Sequence, residues 1–216
     1  IVAFYPRVAA GAEAVALESA IQLEEVRLAF GAGRFVGSSD LASDLRRRIA
    51  ELAARPAPVV LRGEAGSGRS IVARCLHHQG QRRGPFLSLD CSSLGAESLD
   101  AELFGGPDEE GNSAPGLLER AANGTVFLSE VALLPLAVQQ RLAAAISEGK
   151  LSRLGETRRR KLRARIVGGT TRDLAASARE GDFDPELARL LSHDVLALPA
   201  LRGAMDRPQG LVLAIG

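Results

Sequence analysis

Short apolar runs separated by amphipathic stretches divide the chain into alternating strands and helices from residue 35 onward. The runs are three to five residues long, as buried strands are, and the stretches between them have apolar residues every three or four positions, as helices do. Strands that alternate with helices favour an α/β fold with a doubly wound parallel sheet and helices on both faces. We predict strands at 59–61, 85–89, 125–128 and 164–167, and helices at 40–54, from 70 onward, and at 96–104, 116–122 and 135–148.

The first of these strands leads into a glycine-rich turn. The turn reads GEAGSGRS, and a helical pattern starts at its last residue, Ser70. The glycines let successive backbone N–H groups turn inward as a nest for anionic oxygens, and the helix behind adds the positive end of its dipole. This context favours a phosphate-binding loop over a tight turn that binds nothing. The candidate nucleotide-binding residues are Gly63, Glu64, Ala65, Gly66, Ser67, Gly68, Arg69 and Ser70.

Two further polar pairs lie beyond predicted strands. Ser129-Glu130 follows the strand at 125–128, and Thr170-Thr171 follows the strand at 164–167. Ligands of open parallel sheets bind at the carboxyl ends of the strands, so we expect both pairs to lie at the same edge of the sheet as the phosphate loop.

Composition excludes several other classes of function. The formal net charge is +1, so no overall charge directs the chain to nucleic acid or to a membrane surface. The only cysteines are Cys75 and Cys91, which favours a reducing cytoplasm and no disulfide framework. No uninterrupted apolar segment of about 18 residues occurs, so we predict no membrane span.

The segments around the phosphate loop match a known family. GEAGSGRSIVARCLHHQGQRRGPFLSLDCSSL, AELFG and GLLERAANGTVFLSE resemble the central ATPase domain of the sigma-54-dependent, NtrC-like enhancer-binding transcription activators, a branch of the AAA+ family. PLAVQQRLAAAISEGKLSRLG, RARIVGGTTRDL and LALPALR continue the resemblance in the same order. The resemblance implies a P-loop AAA+ core that binds ATP, assembles into a ring and acts on sigma-54 at promoters.

Several departures from this family's pattern fall on its nucleotide chemistry. The phosphate-loop lysine is Arg69, whose planar fork differs from a compact ammonium. The family's Asp-Glu pair is Ser129-Glu130, so magnesium loses a protein carboxylate, and Glu130 remains as a weak base or a relic. Ser70 supplies the hydroxyl that phosphate loops use on magnesium, but we do not expect Mg²⁺ to be held firmly. ATP or ADP is the expected ligand.

Other departures affect the residues around the nucleotide. The family's asparagine partner of the glutamate aligns with Asp90, which would repel Glu130, and the polar sensor residue aligns with Thr171. Asp184 and Leu190 stand where the resemblance places arginines that act on a neighbouring subunit. Arg189 lies one residue early, which is a step of about 100° around a helix.

The loop that contacts sigma-54 in the family, GAFTGA, should follow AELFG. This chain instead has GPDEEGNSAPG, which is shorter and lacks the motif. We therefore expect negligible hydrolysis and no sigma-54 remodelling.

The resemblance also sets the expected domain organisation. It covers residues 35–206, which we assign to one AAA+ α/β domain. Residues 1–34 are interpreted as a linker or as the end of a preceding domain, because GAEAVALESAIQLEEVRLAF resembles the end of a response-regulator receiver. Residues 207–216 are interpreted as the start of the lid or a truncated tail, so the helical lid is mostly absent. No helix-turn-helix is apparent, so DNA contact is expected only through a domain outside this chain.

The cysteines and neighbouring histidines admit two interpretations. Cys75, His77, His78 and Cys91 contain metal-ligand atoms, but the adjacent histidines point to different helix faces and both cysteines occupy apolar positions of the family pattern. Core packing is therefore favoured over a metal site.

The charged segments are also interpreted as structural or solvated. The basic run at 158–165 has no interleaved aromatic residues, which favours a solvated hairpin face over a nucleic-acid site. The acidic residues 108–110 are interpreted as an exposed turn. Glu119 and Arg165 match family positions and are interpreted as structural.

Three hypotheses for function follow. The first is a catalytically degenerate AAA+ module of a bacterial transcription regulator. It would assemble with itself, as a ring or dimer, or with a related AAA+ subunit. It would also contact the transcription machinery or a regulatory protein. The second is a slow ATPase that uses Arg69, Ser70 and Glu130. The third is an interaction module that binds no nucleotide and pairs with an intact relative.

Overall fold

A parallel sheet of five strands forms the centre of the protein in a computed structural model that describes residues 35–36, 40–107, 111–199 and 212–213. The strands of the chain are β1 (Phe35–Val36), β2 (Val59–Arg62), β3 (Phe86–Asp90), β4 (Gly105–Pro107), β5 (Ser113–Pro115), β6 (Thr125–Ser129), β7 (Lys150–Leu151), β8 (Arg160–Lys161), β9 (Arg165–Thr170), β10 (Val195–Ala197) and β11 (Val212–Leu213).

The central strands lie in the order β10–β2–β9–β6–β3, and every neighbouring pair is parallel. This order confirms the predicted parallel sheet, and it brings the carboxyl ends of β2, β9 and β6 to one edge. The predictions for residues 1–34, for the acidic turn at 108–110 and for the end of the chain after residue 199 lie outside the described residues, apart from the short strand β11.

Helices connect the strands. They are α1 (Asp40–Ala53), α2 (Arg69–Gln79), α3 (Ala96–Phe104), α4 (Leu117–Arg120), a 3₁₀ turn (Val131–Leu133), α5 (Leu136–Glu148), α6 (Leu174–Glu180) and α7 (Pro185–Leu191). Among the described residues, no helix has the length and apolar composition that crossing a bilayer requires.

Two clusters of buried apolar side chains lie on opposite faces of the sheet. Val60 of β2 belongs to one cluster, whereas its neighbours Val59 and Leu61 belong to the other. Successive strand residues point to opposite faces, so the two clusters are separated by the sheet. Both faces are covered by helices, as the sequence predicts: α1 and α2 contribute Ile49 and Leu76 to one cluster, and α3, α5 and α7 contribute Leu103, Leu142 and Leu187 to the other.

The glycine, proline and acidic residues of 105–115 predict a loop, and this prediction is wrong at both ends of the segment. β4 and β5 pair there as an antiparallel hairpin. Glycine allows the backbones to approach: a Cβ on Gly105 would lie 2.4 Å from the carbonyl oxygen of Ala114, and one on Gly116 would lie 2.2 Å from the Gly105 nitrogen. The glycines that suggested a loop are therefore needed for close strand pairing.

β9 is longer than its apolar run. The run ends at Val167, but the strand continues through Gly168 and Gly169 to Thr170. A Cβ on Gly169 would lie 2.9 Å from the ring of Phe127, so glycine makes room for a neighbouring aromatic side chain. This extension carries Thr170 to the edge where the phosphate loop lies. The predicted helix at 116–122 is shorter, at Leu117–Arg120, and the predicted hairpin after α5 is formed by β7 and β8.

Candidate nucleotide site

The phosphate loop joins the end of β2 to the start of α2. Gly66 and Gly68 have φ angles of 81° and 85°, the left-handed conformation that glycine adopts without strain. The N–H of Gly63 donates to the carbonyl oxygen of Thr170 at 3.1 Å, which ties the loop to the end of β9. The N–H of Ser67 donates to the carbonyl oxygen of Glu64 at 3.1 Å and closes the turn.

Two buried polar atoms of this loop have unused hydrogen-bonding capacity. Ser67 Oγ and Arg69 Nη1 are buried and have no hydrogen-bond partner among the described residues. A buried donor without a partner costs free energy, and an anionic ligand at the loop would remove that cost. A Cβ on Gly66 would meet nothing within 4 Å, so the tip of the loop is open. These features fit the binding of a nucleotide phosphate.

The remaining polar end of Arg69 is occupied. Arg69 Nη2 donates to Glu130 Oε1 in a short ion pair, and the two side chains are only 10% and 22% exposed. Glu130 follows β6, which is separated from β2 by β9, so the arginine side chain bridges the end of the intervening strand. The cation of the loop and the candidate base therefore neutralise each other.

Glu130 also has an unusual backbone. Its φ and ψ are 53° and 48°, a left-handed conformation that is uncommon for residues other than glycine. Strained conformations of this kind persist where the surrounding structure holds them, and they cluster at functional sites.

The neighbouring carboxylate, Asp90, has its own partner. Asp90 Oδ1 accepts from the backbone N–H of Ser92 at 2.9 Å and from its hydroxyl at 2.6 Å. Asp90 lies opposite Ser129 in the β3–β6 ladder. Burial, followed by the negative charges of Asp90 and Glu130, raises the pKa of the adjacent Cys91 thiol to about 12. Both carboxylates therefore add negative charge at the ends of β3 and β6.

The other predicted residues of the site differ in their surroundings. Ser70, predicted to face magnesium, is exposed on the first turn of α2, and Thr171, the predicted sensor, is also exposed. The preceding Thr170 is buried, and its hydroxyl accepts from the Arg172 N–H at 2.9 Å while its carbonyl holds the loop. Its position as the last residue of a strand is the signal that identifies it.

Residues at the family's arginine positions have structural contacts here. Asp184 caps α7 by accepting from the N–H of Leu187 at 2.7 Å, and its own N–H donates to Gln139 Oε1 at 2.6 Å. Arg189 pairs with Glu186 on the exposed side of the same helix, and Leu190 packs half-buried against the core. Asp184 is thus used to begin a helix.

An ion pair that the sequence reasoning missed lies at the same edge of the sheet. Arg62, the last residue of β2, donates to Asp173 at 2.8 Å. The backbone N–H of Ala176, followed by the charge of Arg62, lowers the pKa of Asp173 below its usual range. The sequence signal for this pair was Arg62 itself, a charged residue directly after the apolar run of β2.

The interpretation of the basic run as a solvated face is wrong for Arg160, whereas Arg165 has structural contacts, as expected from its match to a family position. Arg160 is largely buried and pairs with Glu119 at 3.3 Å and with Glu156 at 2.6 Å. Arg165 is 2% exposed and donates to the carbonyl oxygen of Leu52 at 2.6 Å. Periodicity alone did not reveal the inward orientation of Arg160, because its partner Glu119 is distant in sequence.

The cysteines and His77 pack in the interior, as expected. Cys75 and Cys91 belong to different core clusters, on opposite faces of the sheet. The buried His77 ring lies 3.0 Å from the hydroxyl of Thr125, through Nδ1. Within the described residues, no group of three or more His, Cys, Asp or Glu side chains is arranged to hold a metal ion.

The fold and the loop together define a P-loop α/β domain of the nucleotide-binding type. The model of the Sigma-54 interaction domain matches residues 35–196, and the chain belongs to this AAA+ family.

Two relatives of this chain are named as transcription regulators. The chain is 37% identical over 172 residues to the Psp operon transcriptional activator of Escherichia coli K12, a match that covers 77% of this chain and 53% of the relative. It is 36% identical over 174 residues to the DNA-binding transcriptional regulator NtrC of Azospirillum brasilense, with coverage of 77% and 36%. The chain thus spans about half or less of the length of these relatives.

Solved structures show the same fold. NtrX from Brucella abortus in complex with ATP superposes with a TM-score of 0.72 at 31% identity, covering 88% of this chain and 44% of that one. The ADP complex of NtrX gives a TM-score of 0.71 at 29% identity, with coverage of 87% and 42%.

Proposed function

We propose that this chain is a degenerate AAA+ module of a bacterial transcription regulator that binds ATP or ADP with negligible hydrolysis. It acts in the cytoplasm through self-assembly, or through pairing with a related AAA+ subunit, and through contacts with the transcription machinery or a regulatory protein. DNA binding comes from a domain outside this chain. The names of the relatives support a role in transcription, and the loop geometry supports nucleotide binding.

The ion pair between Arg69 and Glu130 is the observation that carries this proposal. A general base must accept a proton from water, but the Glu130 carboxylate is held by a guanidinium. The same contact engages one end of the cation that would bind phosphate. The carboxylate that a general base needs is therefore neutralised by the cation of the loop.

The lost family residues point the same way. Ser129 offers no carboxylate to magnesium, and Asp184 and Leu190 offer no positive charge to a neighbouring subunit. Arginine fingers contribute roughly 10³–10⁵ in rate where they act. Their loss, added to the engaged base, supports a hydrolysis rate at the level of background.

Nucleotide binding is supported by a different set of groups. Ser67 Oγ, Arg69 Nη1 and the inward-facing backbone of the glycine loop supply donors that need no catalytic partner. A charge-assisted hydrogen bond contributes about 1.5–3 kcal/mol, so a few such contacts give measurable affinity. NtrX, a relative with the same fold, was solved with ADP and with ATP.

Titration calorimetry with ATP and ADP, combined with a phosphate-release assay, tests the proposal. We expect heats of binding and no turnover above a protein-free control. The Glu130→Gln variant should release phosphate at the same background rate. Clear turnover that disappears in Glu130→Gln would identify a slow ATPase, and absence of binding would identify an interaction module without nucleotide.

A restored variant provides the positive control. Arg69→Lys with Ser129→Asp returns the family's cation and magnesium carboxylate. We expect tighter binding of Mg²⁺–ATP by this double variant, measured by the same calorimetry. The exposed substitution Arg179→Lys serves as the matched control and should leave binding unchanged. No gain in the double variant would show that other positions also limit binding.

A further inference from the structure

We propose that the phosphate loop of this chain selects nucleoside diphosphates over triphosphates and binds them without magnesium. This inference rests on the nucleotide binding proposed above and specifies its ligand. It follows from how the charges at the loop are already paired.

The guanidinium of Arg69 has two separate ends. Nη2 donates to Glu130, whereas the buried Nη1 has no partner. Because a guanidinium presents its N–H groups as a rigid planar fork, Arg69 keeps Glu130 at one end and contacts a phosphate oxygen at the other. A ligand therefore binds without breaking the ion pair, and it meets a cation whose charge Glu130 already balances.

The surroundings of this ion pair oppose a third phosphate group. A triphosphate carries one more negative charge than a diphosphate, and P-loop enzymes offset it with lysine and Mg²⁺. Here the carboxylates of Asp90 and Glu130 lie at the ends of the adjacent strands β3 and β6, and the negative charges of both raise the pKa of the Cys91 thiol. Ser129, which lies opposite Asp90 and precedes Glu130, supplies no charge for a metal ion.

A diphosphate needs less compensation. The donors left to it are the hydroxyl of Ser67, Arg69 Nη1 and the backbone N–H groups of the loop and of the first turn of α2. Backbone and hydroxyl donors require no counterion. The site is thus suited to two phosphate groups bound directly by the protein.

The test measures the affinity of the 216-residue chain for ADP and for ATP by calorimetry, each with Mg²⁺ and with EDTA. We expect ADP to bind about tenfold more tightly than ATP, which is the effect of losing about one favourable charged contact. EDTA should change the dissociation constant of ADP by less than about twofold, since no metal contact is lost.

A charge-removing variant locates the source of the preference. Glu130→Gln removes one negative charge at the site, so we expect it to raise ATP affinity more than ADP affinity and to bring the ratio close to one. Glu180→Gln removes an exposed carboxylate on α6 and should leave the ratio at its original value. Circular dichroism spectra and thermal unfolding of both variants check that they are folded.

The outcomes separate this inference from the proposed function. Binding of neither nucleotide overturns both. ATP affinity equal to or greater than ADP affinity, or ADP binding that disappears in EDTA, overturns the diphosphate selectivity but leaves nucleotide binding intact. An unchanged ratio in Glu130→Gln overturns the charge argument on which the selectivity depends.

Discussion

Two arginine–glutamate clusters in this protein have similar burial but different hydrogen bonding. At the base of the two hairpins, Arg153 donates to both oxygens of Glu119 at 2.7 and 3.0 Å, and its remaining Nη1 donates to the carbonyl oxygen of Ser113. At the phosphate loop, Arg69 holds Glu130 through one nitrogen, and Nη1 has no partner among the described residues. The first cluster is complete without a ligand and the second is not.

The difference distinguishes structural charges from ligand-binding charges. The Arg153 and Glu119 side chains are 15% and 17% exposed, so exposure alone does not separate them from the loop pair. What separates them is unused donor capacity, because a buried donor without a partner is retained at a cost in stability. We therefore expect substitutions at the hairpin cluster to lower stability and substitutions at the loop to alter binding.

The largest expected effect is at the hairpin cluster. Glu119→Ala removes the carboxylate that Arg153 and Arg160 share. Both guanidinium groups, which are largely buried, then lose an acceptor. Because Arg160 keeps Glu156 and Arg153 keeps the Ser113 carbonyl, the loss of free energy of unfolding should be about 3 kcal/mol, the low end for breaking a buried pair. Urea denaturation followed by circular dichroism measures the change.

An exposed pair provides the control for this prediction. Glu102 lies 3.5 Å from Arg120, and both side chains are about half exposed. Glu102→Ala should therefore change the free energy of unfolding by less than about 1 kcal/mol. Equal losses in the two variants would contradict the distinction between the clusters.

The second prediction concerns the end of α2 that is remote from the phosphate loop. His77 is buried there against Thr125, and burial, followed by the positive charges nearby, lowers its pKa from 6.5 to about 4. Between pH 6.5 and pH 4 the unfolded chain binds a proton that the folded protein does not, so stability falls as the pH falls. The shift corresponds to about 3 kcal/mol over this range.

A His77→Gln variant isolates that contribution. Glutamine keeps a hydrogen-bonding side chain but does not titrate, so the variant should lose about 3 kcal/mol less than the original protein between pH 6.5 and pH 4. Carboxylates titrate equally in both proteins and cancel in the difference. Parallel pH dependences of the two unfolding free energies would show that His77 is not a neutral, satisfied group.

The sequence was sufficient to predict the parts of the site that depend on local pattern. An apolar run, glycines at fixed spacing and a helical pattern identify the loop between β2 and α2, because each signal lies within a dozen residues. The alternation of strands and helices likewise predicts the parallel sheet.

The rest of the site depends on contacts between distant segments. The ion pair of Arg69 with Glu130 joins residues 61 positions apart and forms because β9 lies between β2 and β6. A strand order of this kind is not encoded in local periodicity. The inward orientation of Arg165 has the same origin, since its acceptor, the Leu52 carbonyl, ends a helix 113 residues earlier. Local pattern therefore locates the loop but not the groups that limit its chemistry.

The smallest expected effect tests whether the left-handed conformation of Glu130 is strained, and so has to be held by the surrounding site. Glycine adopts φ near 53° without the steric cost that a Cβ imposes, so Glu130→Gly should be more stable than Glu130→Ala by about 1 kcal/mol, although both lack the ion pair. At Glu102, inside α3, the order should reverse, because glycine is less favourable than alanine in a helix by about 1 kcal/mol. Urea denaturation of the four variants provides the comparison. If alanine is the more stable residue at both positions, then the conformation of Glu130 carries no strain, and its geometry is not a feature that the nucleotide site maintains.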